Sequence, residues 1–356
     1  MTLKTDLVLV EKLKHINSEY SRIFCLPEMQ LLRHQFRAQH PIGLFVFGCM
    51  DGRNNIPNAG ELPAGIIQNY RYLGGAWEWW NYLDLVFYND LMYWINQGKS
   101  CLVFVSYHFS KSDKCLGCAG FDHDVDKAIK SNIIFKKKIE RVYGVSHSVV
   151  FPVLLGLETD EEALIIHGNN HELTLNVAEL KEYDENGIRA ILAEMFQKIQ
   201  PEMLKFLLRL IRGNIEHVAK IRASNRSIIT LNHCEWVLAL GQGLDWFYRP
   251  NQAIIVGMYS NKPEEAIIKA AGIIEENISE GRISKEEGFV LLASSSFRSE
   301  AGVEKPRACE RALENMRFAK KVIGNNFPQL TDFMHPLTVV TNLDNRKFIE
   351  VKDIHF

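Results

Sequence analysis

The chain has 356 residues, of which 47% are hydrophobic and 24% charged, and its formal net charge is −2. This composition is that of a folded globular protein long enough for two domains, and it excludes the disordered and fibrous classes. Without net positive charge or a basic tract, the chain gives no electrostatic reason to expect nucleic acid as a partner.

The N-terminal residues and the cysteines bear on the compartment. Lys4, Asp6, Glu11 and Lys12 interrupt the apolar residues at the start of the chain, so a secretory signal is not expected. No apolar run reaches the length of a membrane span. The seven cysteines lack the spacing of a disulfide framework, which favours reduced thiols and metal ligation. We therefore expect a cytoplasmic protein with no membrane partner.

Apolar periodicity predicts alternating strands and helices after a helical arm that Pro41 ends. The first half contains strands at 44–48, 66–70, 101–106, 149–155 and 163–167 and helices at 77–97 and 124–142. A helical linker follows at 187–222. The remainder repeats this order, with strands at 236–240, 253–258, 289–293, 337–341 and 347–351, helices at 263–278 and 306–323, and a serine-rich loop after 293.

The repeated order indicates an internal duplication. Corresponding strands are offset by roughly 188 residues, although any α/β protein alternates strands and helices in a similar way. We predict an internally duplicated α/β fold with a mixed or parallel central sheet, flanking helices and an N-terminal helical arm. We predict the arm at 1–40, a first domain at 41–186, a helical linker at 187–222 and a second copy at 223–356.

Two predicted strands of the first half are each followed by a potential metal ligand. Cys49 comes directly after the strand 44–48, and His108 follows the strand 101–106. Because the carboxyl ends of parallel strands meet at one crevice, where ligands bind in open α/β sheets, we expect the thiol and the imidazole to lie together. Zinc favours both ligand types, so the sequence predicts a zinc site here.

The loop beyond His108 offers further thiols, Cys115 and Cys118. One of them would complete a site of three protein ligands that leaves the fourth tetrahedral position open to water, as in catalytic zinc sites. Both of them, joining Cys49 and His108, would close a structural site. The pair Cys115 and Cys118 could also form half of a structural zinc knuckle, which His123 stands close enough to join. The Cys-x-x-Cys spacing alone also fits a thiol redox pair.

A carboxylate and a guanidinium accompany the first ligand. Asp51 and Arg53 lie two residues apart, so they can form an ion pair that keeps the carboxylate ionised and fixes its direction. Such a carboxylate can accept a hydrogen bond from zinc-bound hydroxide, the nucleophile that zinc makes available near neutral pH. We therefore predict that Asp51 and Arg53 are catalytic residues.

These residues resemble the β-class carbonic anhydrases. The run Cys49-Met50-Asp51-Gly52-Arg53 matches the Cys-x-Asp-x-Arg motif of that family in full. The family's His-x-x-Cys motif is lengthened here, because no cysteine follows His108 until Cys115. Cys118, which Ala119 and Gly120 follow, best matches the family's last cysteine, so we assign it as the third ligand with Cys115 as the alternative. The longer loop is similar to that of the carboxysomal shell subclass.

The resemblance implies a β-carbonic-anhydrase-like fold and a zinc lyase that reversibly hydrates carbon dioxide to bicarbonate by zinc-bound hydroxide. Two alternatives stay open: a non-catalytic protein stabilised by zinc, and a related hydrolase acting on carbon disulfide or carbonyl sulfide. Another segment, 69–75, loosely matches an Arg-Asn-Ala-Gly-like stretch of the family.

The second copy is expected to hold no metal. Its residues 241–243 contain no thiol where the first copy has Cys49, and Ser295 or Ser296 stands where His108 would be. One chain should then bind one zinc ion, and we expect a homodimer of duplicated chains. Carboxysomal members carry a long N-terminal extension, whereas only about 40 residues precede the catalytic part here. We therefore do not predict carboxysome partners.

Overall fold

The computed structural model describes residues 6–75, 77–79, 81–144, 149–224, 226, 232–247 and 251–352. The chain divides into two units, each built on one β-sheet. Unit 1 contains Met1–Gln30, Met50–Gly52 and Asn232–Phe356, and unit 2 contains Leu31–Cys49 and Arg53–Leu231.

The predicted N-terminal arm consists of two helices, α1 (Asp6–Phe24) and α2 (Pro27–Gln39). In unit 1, Asn17 of α1 accepts a hydrogen bond of 2.9 Å from the backbone N–H of Phe348. In unit 2, Phe36 of α2 belongs to an apolar core that also includes residues of α7. Most of α2 therefore belongs to unit 2, whereas α1 belongs to unit 1.

Unit 2 contains a six-stranded sheet in the order β2-β1-β3-β4-β5-β6. The first four strands are parallel, and β5 and β6 are antiparallel to their neighbours. The strands are β1 (Gly43–Cys49), β2 (Gln68–Tyr72), β3 (Cys101–Phe109), β4 (Val150–Glu158), β5 (Ala163–His167) and β6 (Thr174–Asn176). Its further helices are α3 (Ile56–Ala59), α4 (Asn81–Ile95), α5 (Val125–Ile139), α6 (Glu185–Met195) and α7 (Pro201–Ala223).

The structure differs from the prediction for this half at three main points, apart from shifts of a few residues at the ends of elements. The strand predicted at 101–106 continues to Phe109, because β4 runs beside it to Glu158, so His108 lies within the strand. The segment predicted as one helical linker, 187–222, forms two helices, α6 and α7. The short strand β6 has no predicted counterpart.

Helices cover both faces of this sheet, which explains its continuous apolar strands. On one face Phe47 of β1 packs edge-on against Phe87 of α4 and Phe135 of α5, with ring centroids 5.0 Å apart in each pair. On the other face Phe104 of β3 contacts Phe206 of α7 at 6.2 Å. Each such buried side chain contributes about 1.5–3 kcal/mol to folding. The resulting core holds the carboxyl ends of β1 and β3 side by side.

Unit 1 contains a five-stranded sheet in the order β8-β7-β9-β10-β11, in which only β11 is antiparallel. The strands are β7 (Val237–Gly241), β8 (Ala253–Val256), β9 (Phe289–Phe297), β10 (Met334–Asn342) and β11 (Phe348–Glu350), and the helices are α8 (Pro263–Ser279) and α9 (Glu304–Asn326). The predicted serine-rich loop is wrong, since residues 294–296 belong to β9 and pair with β10. Among the described helices, none is both long and apolar enough to cross a lipid bilayer.

The five strands of the unit 1 sheet match the first five strands of the unit 2 sheet, β2-β1-β3-β4-β5, in order and direction. The central pairs also match in register. β3 pairs with β4 from its first residue to its last, and β9 pairs with β10 in the same way. Because both pairs are nine residues long, Cys101 corresponds to Phe289 and His108 to Ser296, at a constant offset of 188 (289 − 101). The strand pattern of the first half is thus repeated in the second.

Candidate metal centre

Three ligand side chains of unit 2 meet at the ends of neighbouring strands. Cys49 is the last residue of β1, His108 is the second-last residue of β3, and Cys118 lies in the loop that joins β3 to α5. Their ligand atoms all lie within 4.8 Å of one another, and all three residues are buried. The two Sγ atoms are 3.6 Å apart. Sulfurs bound tetrahedrally at about 2.3 Å from zinc would be about 3.8 Å apart, so the donor set fits this metal.

The other cysteine of the loop, Cys115, is exposed. In the described part of the chain, the group of potential metal ligands has only the three members Cys49, His108 and Cys118. His123, the candidate partner of Cys115 and Cys118 in a zinc knuckle, has its Nδ1 3.1 Å from the carbonyl oxygen of Gly117. The structure therefore brings together three ligands, not a closed set of four.

Two turns that contain glycine approach each other closely, and this contact brings Cys118 to the strand ends. Gly74, which follows β2, has a φ of 63°, and Gly120 lies against it. A Cβ on Gly120 would be 2.5 Å from the Cα of Gly74, and a Cβ on Gly75 would be 3.1 Å from the carbonyl oxygen of Ser106 in β3. Both turns therefore need glycine at the contact.

A buried guanidinium holds the backbone beside Cys49. Arg71 of β2 donates from Nη1 to the carbonyl oxygen of Cys49 at 3.1 Å and from Nη2 to that of Asn54 at 2.8 Å. The Asn54 amide donates to Ser106 Oγ at 3.3 Å, and this hydroxyl donates to the carbonyl oxygen of Phe47 at 3.0 Å. The turn after β1 is thus fastened to both neighbouring strands. Sequence reasoning assigned Arg71 no role; its only local signal is a charged residue between two tyrosines, Tyr70 and Tyr72, which the structure shows to be buried.

Asp51 and Arg53, the predicted catalytic pair, are both buried. Within unit 1, Asp51 forms an isolated antiparallel bridge with Ile254, and the Met50 carbonyl accepts a hydrogen bond of 2.8 Å from the N–H of Ile255. The backbone that carries Asp51 is therefore anchored by pairing. The ion pair between Asp51 and Arg53 stays a prediction.

Acidic side chains hold the beginning of the loop that joins β3 to α5, hereafter the ligand loop (residues 110–124). Asp160, in the turn between β4 and β5, accepts hydrogen bonds from Ser110 Oγ at 2.6 Å, Lys111 N at 3.0 Å and Ser112 N at 2.7 Å. Burial raises the pKa of the Asp160 carboxyl, but the hydrogen bonds from Ser110 and Ser112 outweigh burial and bring the pKa below its usual value. The carboxylate therefore stays ionised at neutral pH.

Unit 1 has different side chains at the corresponding strand positions. The pairing of β7 with β9 makes Gln242 the counterpart of Cys49, as Ser296 is the counterpart of His108. The pairs that fix this correspondence are Phe47 with Val105 and Leu240 with Ala293. Unit 1 thus carries a carboxamide and a hydroxyl where unit 2 carries a thiol and an imidazole.

Comparison with protein families matched residues 48–228, just over half of the chain, to the family described as Carboxysome Shell Carbonic Anhydrase, catalytic domain. The matched segment contains Cys49, His108 and Cys118 together with Asp51 and Arg53. Comparison with curated proteins gave no match.

Proposed function

The chain belongs to the carboxysome shell carbonic anhydrase family through its catalytic domain, and we propose that it is a zinc-dependent enzyme interconverting carbon dioxide and bicarbonate. The observation that carries this proposal is the buried group of two thiols and one imidazole at the ends of β1 and the neighbouring β3. Three protein ligands, rather than four, are typical of catalytic zinc because one coordination position stays open.

Each predicted site residue has a role in this proposal. Cys49, His108 and Cys118 would hold the zinc ion, which lowers the pKa of a bound water towards neutrality and so supplies a nucleophile for carbon dioxide. Asp51, two residues beyond Cys49, would orient the attacking oxygen. Arg53 would keep that carboxylate ionised and directed.

A purely structural zinc site is the main alternative, and the position of Cys115 argues against it. A closed site needs a fourth protein ligand, for which the ligand loop offers Cys115. That side chain is exposed and lies outside the buried group of three. The geometry therefore supports an open site better than a closed one.

We further propose that the two halves arose by duplication and that the second lost its metal. The shared strand order and register support the common origin. Gln242 and Ser296 at the ligand positions support the loss, because neither a carboxamide nor a hydroxyl belongs to the usual zinc ligands. One chain should accordingly bind one zinc ion.

The test combines metal analysis with an activity assay on protein purified under reducing conditions. Zinc per chain and carbon dioxide hydration by stopped flow are compared for the wild type, Cys49→Ser and Cys115→Ser. We expect about one zinc per chain and rapid hydration in the wild type, both lost in Cys49→Ser. Cys115→Ser, which changes an exposed thiol in the loop that carries Cys118, is the control and should keep both.

Other outcomes separate the alternatives. Wild-type protein that holds zinc without hydrating carbon dioxide would be a structural zinc protein, or a hydrolase to be assayed with carbon disulfide and carbonyl sulfide. Wild-type protein that holds no zinc would refute the metal site. Loss of zinc from Cys115→Ser would show that the closed, four-ligand site exists.

A further inference from the structure

The ligand loop is fastened to an acidic turn, residues 158–162, between β4 and β5. Three groups at the beginning of the loop donate to one carboxylate, that of Asp160: the hydroxyl of Ser110 and the backbone N–H groups of Lys111 and Ser112. All three donors lie within four residues of His108, directly after the strand that carries it. Asp160 thus fixes the direction in which the chain leaves β3.

The acidic turn is itself held in place without the ligand loop. The fully buried carboxylate of Glu158 accepts hydrogen bonds from the N–H groups of Asp160 and Glu161 at 2.9 and 3.0 Å. From the other side, Arg226 donates to the carbonyl oxygens of Thr159 and Asp160 at 3.0 and 2.5 Å. Asp160 is therefore a preorganised acceptor rather than a side chain that the loop positions.

A relay of hydrogen bonds continues from Asp160 towards the third ligand. Ser110 Oγ, bound to Asp160, accepts from Asp113 N at 3.2 Å, and the Asp113 carboxylate accepts from Cys115 N at 2.8 Å. Asp113 also caps the short 3-10 helix Lys114–Leu116. Cys118 follows two residues after this helix. The segment between the anchored start of the loop and Cys118 is thereby ordered step by step.

The entropy of the loop explains why such an anchor is needed. Nine residues, 109–117, separate His108 from Cys118, and eight of them lie outside any strand. Fixing each residue of a loop costs conformational entropy. A loop that is already ordered before the metal arrives avoids that cost at the moment of binding.

We propose that Asp160 is a positioning residue for the third zinc ligand, holding Cys118 against Cys49 and His108 through Ser110 and Asp113. This inference rests on the proposed zinc site. Removing groups that orient metal ligands typically lowers metal affinity 10–100-fold. We expect Asp160→Ala to weaken zinc binding by at least about tenfold.

The experiment compares Asp160→Ala with a conservative and a matched control variant. Asp160→Asn keeps an oxygen for the two backbone N–H groups, so it should retain most of the affinity. Glu161→Ala lies in the same turn and removes the partly exposed ion pair with Arg222, at 2.7 Å, but leaves the hydrogen bonds of Asp160 in place, so it should bind zinc like the wild type. Zinc affinity is measured by competition with a chromophoric chelator. Cobalt substitution then reports the thiolate ligands through the intensity of the sulfur-to-cobalt charge-transfer band.

A positioning role predicts weaker zinc binding and a weaker charge-transfer band in Asp160→Ala, with both restored in Asp160→Asn. Wild-type affinity and spectrum in Asp160→Ala would overturn the proposal, as would an equal loss in Glu161→Ala. If Asp160→Ala does not fold, Ser110→Ala removes the link between Asp160 and Asp113, together with the contact of 3.2 Å between Ser110 Oγ and Ser112 Oγ, and gives the same test. A wild type that binds neither metal would refute the zinc site itself, and the positioning role with it.

Discussion

Ser296 Oγ lies 3.5 Å from Gln242 Oε1, at the two strand positions that correspond to His108 and Cys49. Neutral hydrogen-bonding groups thus stand where the first half has the candidate metal ligands. The loop after β9 is also shorter, with 6 residues (298–303) against 15 (110–124) after β3, which leaves no counterpart of Cys118. The second half therefore lacks all three ligands for separate reasons.

Restoring two ligands should not create a second metal site. In the variant Gln242→Cys with Ser296→His, the short loop still supplies no third thiol, so we expect the same zinc content per chain as in the wild type. Zinc is counted by elemental analysis after dialysis against a weak chelator. A second tightly bound equivalent would show that the second half needs no loop ligand.

Arg71 should contribute strongly to the stability of unit 2. Arg71→Met leaves the buried carbonyl groups of Cys49 and Asn54 without their guanidinium donor, at about 1–3 kcal/mol each. We expect a loss of about 2–4 kcal/mol in the free energy of unfolding, measured with urea. Arg71→Lys can keep one of the two bonds and should lose about half as much. Equal stability of all three proteins would contradict this role.

Gly120 should tolerate no side chain. In Gly120→Ala the new Cβ would lie 2.5 Å from the Cα of Gly74, so one turn must move, at a cost of about 1–3 kcal/mol. The displacement falls two residues after Cys118, and zinc affinity should drop as well. Gly324→Ala in α9 is the control, since its Cβ would meet nothing within 4 Å. That variant should be neutral or slightly more stable, because alanine favours helix. Thermal unfolding and chelator competition measure both effects.

His217 of α7 bridges two carboxylates and should make stability depend on pH. Its Nδ1 lies 3.1 Å from Glu61 Oε1 and its Nε2 lies 2.7 Å from Glu162 Oε2. Both nitrogens can donate only when the ring is protonated. Burial lowers the pKa of His217, but the hydrogen bonds and charges of Glu162 and Glu61 outweigh burial and raise it above 6.5. Burial raises the pKa values of the Glu61 and Glu162 carboxyls, but their cationic partners outweigh burial and bring both pKa values below 4.5. These partners include Lys220 for Glu61 and Arg226 for Glu162.

The signs of these shifts define the pH window. The contribution of His217 is complete below pH 6.5 and is lost as the pH rises through its raised folded-state pKa. The contribution of the two carboxylates is complete above pH 4.5 and is lost as the pH falls through their lowered folded-state pKa values. When the free energy of unfolding is measured from pH 4 to 9, the stabilisation by His217 and its two carboxylates should be greatest between pH 4.5 and 6.5. His217→Gln should flatten the decline above pH 6.5, and an unchanged slope would contradict the bridge.

Part of this site could be predicted from sequence because strand ends and residue types are local features. Cys49 follows an apolar run, and apolar runs mark buried strands. The prediction ends β3 at 106 and β9 at 293, because the polar residue Ser106 and the run Ser-Ser-Ser interrupt the apolar pattern. Pairing with β4 and β10 continues both strands beyond these points. The choice between Cys115 and Cys118 as the third ligand depends on which of the two thiols faces the strand ends in the folded chain.

The contacts that support the site were beyond sequence reasoning for a different reason. Arg71 reaches Cys49 across 22 positions, and Asp160 reaches Ser110 across 50. No periodicity or short motif encodes a hydrogen bond between such distant segments. Only the arrangement of strands brings their side chains together.

The three ligands differ in how their backbone is held, and this difference bears on metal exchange. Cys49 and His108 stand on β1 and β3, whose backbones pair with neighbouring strands, whereas Cys118 stands in a loop. Loops open locally at much lower free energy than the strands of a central sheet. The residence time of the metal should therefore follow the opening rate of the ligand loop, so that isotopic zinc exchanges from the folded protein while the amides of β1 and β3 remain protected.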